Sequence, residues 1–194
     1  MTEPVHDRTR NRNRLMLMAI FAMFFGSMLV AGLLRFSGWR PAGSKNVGEM
    51  LDPPGDLRRV TPQRVDGKAY AWNPAARTWR IALAPPAVCS GQCEQLARDI
   101  DTVWQLFGKD ADRVDVLWLC ASMPCALPAG APRPTTLQLL KPDPALRAGL
   151  PRVDDAQGVP VYVIDPNGFV VLRYAPGTDP AGLRADLAKL LKLK

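Results

Sequence analysis

The sequence predicts an α/β domain, a mixed central sheet flanked by helices, carried behind a single N-terminal transmembrane helix. Three observations lead there: an uncharged apolar run at residues 15–34, apolar strand-like runs alternating with helical stripes from residue 78 onward, and two closing apolar runs joined by a tight turn. With 194 residues, 47% of them hydrophobic, the chain has room for one core plus an appendage rather than for two domains.

The appendage comes first. LMLMAIFAMFFGSMLVAGLL carries no charge over residues 15–34, and at about 1.5 Å per residue it spans the roughly 30 Å hydrocarbon core of a bilayer. Arg8, Arg10, Arg12 and Arg14 precede it, and the positive-inside bias holds that end in the cytoplasm. The rest is then expected across the bacterial inner membrane, in the periplasm. A cleaved signal peptide is the competing reading. The run is longer than a signal h-region and no A-x-A site follows it, so an uncleaved anchor is expected. The expected organisation is a basic tail at 1–14, the anchor at 15–34, a flexible Pro/Gly-rich linker at 35–66 and the folded domain at 67–194.

Charge narrows the function classes. Arg8, Arg10, Arg12, Arg14, Arg35 and Arg40 against Glu3 and Asp7 account for +4 of the net +7, which leaves the domain too weakly basic to suggest nucleic-acid binding. The chain has no Gly-rich phosphate loop, no H-E-x-x-H and no G-x-S-x-G. Its single histidine, His6, falls on the cytoplasmic side of the expected anchor.

The domain reads as β-α-β-α-β-β-α. KAYAWN (68–73) and TWRIALA (78–84) are expected strands, the second more central. Leu96, Ile100, Val103, Trp104 and Phe107 make a helical stripe over 93–107, ended by Gly108. VDVLWLC (114–120) is a buried strand, and the proline-rich passage after it is loop. TTLQLL (135–140) and PALRAGL (144–150) are a short strand and a short helix. GVPVYVIDPNGFVVLRY (158–174) is an antiparallel hairpin turning at Asp165 to Gly168. The last helix has Thr178 or Asp179 as N-cap, Pro180 near its start, and an apolar face of Leu183, Leu187, Leu190 and Leu191. Trp72, Trp79, Trp104 and Trp118 are expected in the core or at its rim. A right-handed crossover makes strands 78–84 and 114–119 parallel neighbours, so Cys89 and Cys120 follow strand ends on one edge of the sheet.

These residues resemble the thioredoxin fold and, within it, the Sco family of copper-handling assembly factors for cytochrome c oxidase. The resemblance covers 68–194 and rests on the anchored topology, the C-x-x-x-C of Cys89 and Cys93 at a strand-to-helix junction, and the YVIDPNGFVVLRY hairpin followed by a helix. It implies a thioredoxin-like fold, a respiratory oxidase subunit or another inner-membrane or periplasmic protein as partner, and a copper site. The family's distal histidine, just before the hairpin, is missing; Gly158-Val159-Pro160 stands there instead. In thioredoxin-like oxidoreductases a V-P step at this place carries a cis proline facing the cysteines, so the resemblance makes Pro160 a site residue beside Cys89 and Cys93. An ordinary trans proline opening a strand is the alternative.

A thiol at a helix N-terminus is stabilised as thiolate, which suits Cys89 to attack and Cys93, one turn on, to resolve a mixed disulfide. A permanent staple is the alternative, although a staple closing so short a loop gains little chain entropy. Cys120 and Cys125 are most simply a disulfide pinning a loop. Their place on the shared edge allows two further readings: a relay between the pairs, or a copper(I) site of Cys89, Cys93 and Cys120 or Met123, since copper(I) accepts soft sulfur ligands. Three functions therefore stand at this stage: a thiol-disulfide oxidoreductase, a sulfur-ligated copper(I) metallochaperone, and a scaffold with structural disulfides.

Overall fold

The computed structural model describes residues 5–37, 45–89 and 91–192. The chain divides into two compact units, residues 1–43 and 44–194. The first contains helix α1, Val5–Phe36, which carries the apolar run and Arg8 to Arg14 alike. Arg10–Phe36, which includes an 18-residue window with a mean hydropathy of 2.3, is long and apolar enough to cross a membrane.

The second unit is a six-stranded sheet in the order β1-β6-β5-β2-β3-β4. Its strands are β1 (Glu49–Asp56), β2 (Trp79–Leu83), β3 (Val114–Leu119), β4 (Leu137–Leu140), β5 (Val161–Ile164) and β6 (Phe169–Tyr174). Helices α2 (Gly91–Gln105), α3 (Pro144–Ala148) and α4 (Pro180–Leu190) complete it. β2 runs parallel to β3, with Ile81 opposite Val116 and Leu83 opposite Trp118, and β3 runs parallel to β4. β5 is antiparallel to both β2 and β6, so the sheet is mixed.

Alternation along the strands sends side chains to two cores. Ile81, Leu83, Val116, Trp118, Val163 and Leu172 pack under α2 and α4, against Ile100, Val103, Leu183 and Leu187. Ala82, Leu117, Leu119, Tyr162 and Ile164 face the other way, onto Leu57, Tyr70 and Leu146 of α3. The caps follow the sequence: Asp143 accepts from Ala145 N and Leu146 N ahead of α3, and Asp179 caps α4 through Ala181 N. Asp165 accepts from Asn167 N and Phe169 N and so closes the hairpin turn.

Two expectations are corrected. The region read as linker at 35–66 contains β1, an edge strand paired antiparallel with β6, Met50 opposite Leu172 and Asp56 opposite Phe169. Pro53 and Pro54 fall where the register shifts, and an edge strand tolerates prolines that cannot donate to a ladder. Residues 68–73 form no strand beyond an isolated bridge at Ala69. Their rings cover the sheet instead: Trp72 donates to Val60 O at 2.7 Å, Tyr70 and Trp72 meet edge to face, and the buried Arg80 lies over both. Arg80 also donates to the Tyr70 hydroxyl and to Asp165 O, while that hydroxyl donates to Asp115. Burial raises the pKa of both Tyr70 and Asp115.

Asp186 ties the start of this unit to α4. Its Oδ2 accepts from Val47 N at 2.7 Å, Gly48 N at 3.0 Å and the Tyr174 hydroxyl at 3.1 Å, and its Oδ1 accepts from Lys189. Gly182 allows the approach, since a Cβ there would lie 2.5 Å from Val47 Cγ1. Burial pushes the Asp186 pKa up, but the donors from Gly48, Lys189, Tyr174 and Val47 outweigh it and hold the carboxyl below its ordinary value of 3.8. The stabilisation is complete above that value and is lost as pH falls through it toward the lower folded value. Asp186→Asn is expected to lower unfolding free energy by about 2–3 kcal/mol at pH 7, the cost of weakening bonds to a buried charge. Urea unfolding at a series of pH values checks this: the gap between wild type and variant should close as the buffer is acidified below pH 4.

Candidate functional site

The parallel ladder ends at Leu83 on β2 and Leu119 on β3. Cys120 follows β3 at once, and Cys89 is reached through Pro85 and Pro86, just ahead of α2. Cys89 is joined to Cys93 and Cys120 to Cys125, each pair with Cα atoms 5.7 Å apart. All four cysteines wall one cavity of about 150 Å³, together with Pro85, Pro86, Trp118 and Leu127.

The two sulfurs of each pair differ in exposure. Cys93 is completely buried and Cys120 is 7% exposed, both within the core under α2, whereas Cys89 and Cys125 are half-buried at its margin. Cys93 is held by the apolar face of α2 that also seats Ala97 and Ile100, so the helix that protects one sulfur presents the other at its start. Cys89 thus stands just ahead of a helix N-terminus, a position that favours a thiolate where a cysteine is reduced.

Pro160 is buried and does not line the cavity. The cis bond that the resemblance implied is absent: Val159–Pro160 is trans, and the cis bonds among the described residues are Asp52–Pro53 and Met123–Pro124. Proline at the entry to β5 loses no ladder donor, and the bend is made one step earlier by Gly158 at φ 139°. A Cβ on Gly158 would run into the Gln92 amide, so this loop lies against the first turn of α2 even with Pro160 trans.

The sulfur-ligated copper reading fares less well. Met123 is 51% exposed and stands outside the cavity wall. The four sulfurs are bonded in pairs, not offered as thiolates, and among the described residues no group of three or more His, Cys, Asp or Glu is placed to hold a metal ion. His6 belongs to the other unit. These residues do not fit a resident copper ion in this disulfide form.

Trp118 is the cavity wall that was expected only in the core or at its rim. The signal lay in the alternation, because two residues before Cys120 on a strand is the same face.

A family model described as transmembrane-like, thioredoxin-like, C-terminal domain matches residues 79–194. The chain belongs to this family. Solved structures agree on the thioredoxin-like fold. BsSco, a member of the Sco family of cytochrome c oxidase assembly proteins in which a disulfide switch was identified, aligns at TM-score 0.56 and 14% identity, over 76% of this chain and 99% of that one. A SCO1/SenC family lipoprotein from Bacillus anthracis aligns at 0.54 and 16%, over 73% and 99%. Yeast Sco1 with copper bound aligns at 0.53 and 14%, over 78% and 96%. No curated protein sequence matches the chain. For this thioredoxin-like domain, non-reducing peptide mapping of the air-oxidised full chain is expected to return the linkages Cys89–Cys93 and Cys120–Cys125, with no crossed pair and no free thiol.

Proposed function

We propose that this protein is a membrane-anchored thiol-disulfide oxidoreductase of the bacterial inner membrane, with its domain in the periplasm, acting on a cysteine-bearing partner during assembly of a respiratory cytochrome c oxidase. The observation that carries the chemistry is the Cys89–Cys93 pair at the start of α2, one sulfur half-buried and the other sealed in the core. The arginines before the apolar run support the orientation. The Sco-like fold supports the oxidase link, since the solved Sco relative is itself an oxidase assembly protein.

The reaction follows from that asymmetry. In the reduced protein the Cys89 thiolate attacks a partner disulfide, forming a mixed disulfide and releasing one partner thiolate. Cys93 then attacks the Cys89 sulfur, which closes Cys89–Cys93 and frees the second partner thiol. Two electrons pass to the partner, and two protons follow them. Burial of Cys93 confines it to this resolving step, and the opening at Cys89 admits an extended segment of the partner.

With a peptide disulfide as probe and the full chain in detergent, Cys93→Ser is expected to accumulate a mixed disulfide through Cys89, detected by mass spectrometry. Cys89→Ser is expected to reduce the probe no faster than free dithiothreitol does in the same buffer. A Cys93→Ser protein that forms no adduct would overturn the exchange role.

A further inference from the structure

The second cysteine pair repeats the exposure pattern of the first in the same cavity. Each pair has one sulfur buried in the core, Cys93 and Cys120, and one half-buried at the wall, Cys89 and Cys125. A structural staple gives a weak account of this. Cys120 and Cys125 are five residues apart, and closing so short a loop removes little entropy from the unfolded chain. The chain just after the loop has another tie, because Leu127 is buried in the core under α2.

Cys120 also borders a cavity that the first pair does not. With Ala121 it walls a second cavity of about 210 Å³, framed by Leu119, Pro142, Pro144 and Arg147, to which neither Cys89 nor Cys93 contributes. Cys125, half-buried at the margin of the core, is the sulfur of this pair open to attack, as Cys89 is of the first.

We infer that Cys120–Cys125 is a second redox centre, which accepts electrons from an external dithiol protein and passes them to Cys89–Cys93 across the shared cavity. The inference rests on the exchange role proposed for Cys89 and Cys93. A thiolate of the external dithiol attacks the Cys120–Cys125 bond; its second thiol resolves the adduct, leaving the external protein as disulfide and Cys120 and Cys125 as thiols. One of these, as thiolate, then attacks the Cys89–Cys93 bond, and the other resolves that crossed disulfide. The net result is Cys89 and Cys93 reduced, Cys120–Cys125 restored, and two electrons and two protons carried through the cavity.

The test traps the crossed intermediate in the full chain in detergent. Cys93→Ser/Cys120→Ser leaves Cys89 and Cys125, and Cys93→Ser/Cys125→Ser leaves Cys89 and Cys120. After mild oxidation, peptide mapping should find an intramolecular crossed disulfide as the predominant species in at least one variant. Wild type given one equivalent of dithiothreitol and quenched in acid should yield the same crossed peptides at a lower level, a reading independent of how the variants fold. Native linkages and free thiols alone in all three samples, with Cys89–Cys93 still opening and closing in wild type, would overturn the relay and leave the exchange role standing. A Cys89–Cys93 bond that dithiothreitol does not open in the folded wild type would overturn both.

Discussion

The parallel hydrogen-bonded ladder between β2 and β3 is the constraint on which the sulfur site depends. A parallel pair cannot be joined by a tight turn, so the chain must leave β2, cross the sheet face as α2, and return to start β3 at the far end. Both strands then finish on the same edge. Cys120 lies one residue past the end of β3, and Cys89 stands where the crossover helix begins. Without that ladder the two cysteine pairs would be separate local features; with it they wall one cavity.

The neighbouring antiparallel ladder completes the arrangement. β5 pairs with β2 on the side away from β3, Ala82 opposite Tyr162 and Leu83 opposite Val161. The chain entering β5 therefore arrives beside α2, which explains why Gly158 abuts Gln92. The same packing that buries Cys93 in one cluster with Ile100, Val116 and Trp118 keeps its sulfur from solvent, and the proposed resolving step rests on that burial. The Asp186 ties on the far side fix the start of the unit and leave the cavity untouched.

Much of this was legible in the residues. The alternation in VDVLWLC and YVIDPNGFVVLRY, the stripe on α2 and the caps at Asp143 and Asp179 each state a local preference that the tertiary structure also satisfies, and those elements stand where expected. β1 was hidden because Pro53 and Pro54 break the local pattern, and only long-range pairing with β6 makes a strand of it. Residues 68–73 misled in the opposite way, since Tyr70 and Trp72 alternate like a strand but use their rings to cover Arg80. At the site, the strand-to-helix junction at Cys89 and the edge position of Cys120 followed from topology. The trans state of Pro160 and the outward position of Met123 did not, because an X-Pro bond's isomer is not written in the local residues and Met123 follows the path of a proline-rich loop.

A working redox site and a pair of staples differ in whether Cys89–Cys93 opens while the domain stays folded. Equilibration of the intact, folded chain in glutathione buffers of graded ratio, with each pair's thiols read by alkylation and mass spectrometry, distinguishes the two. In a redox site Cys89–Cys93 is expected to open and close reversibly while the domain keeps its native circular dichroism. A Cys89–Cys93 bond that stays closed at every ratio until denaturant unfolds the domain would make both pairs staples and overturn the redox role.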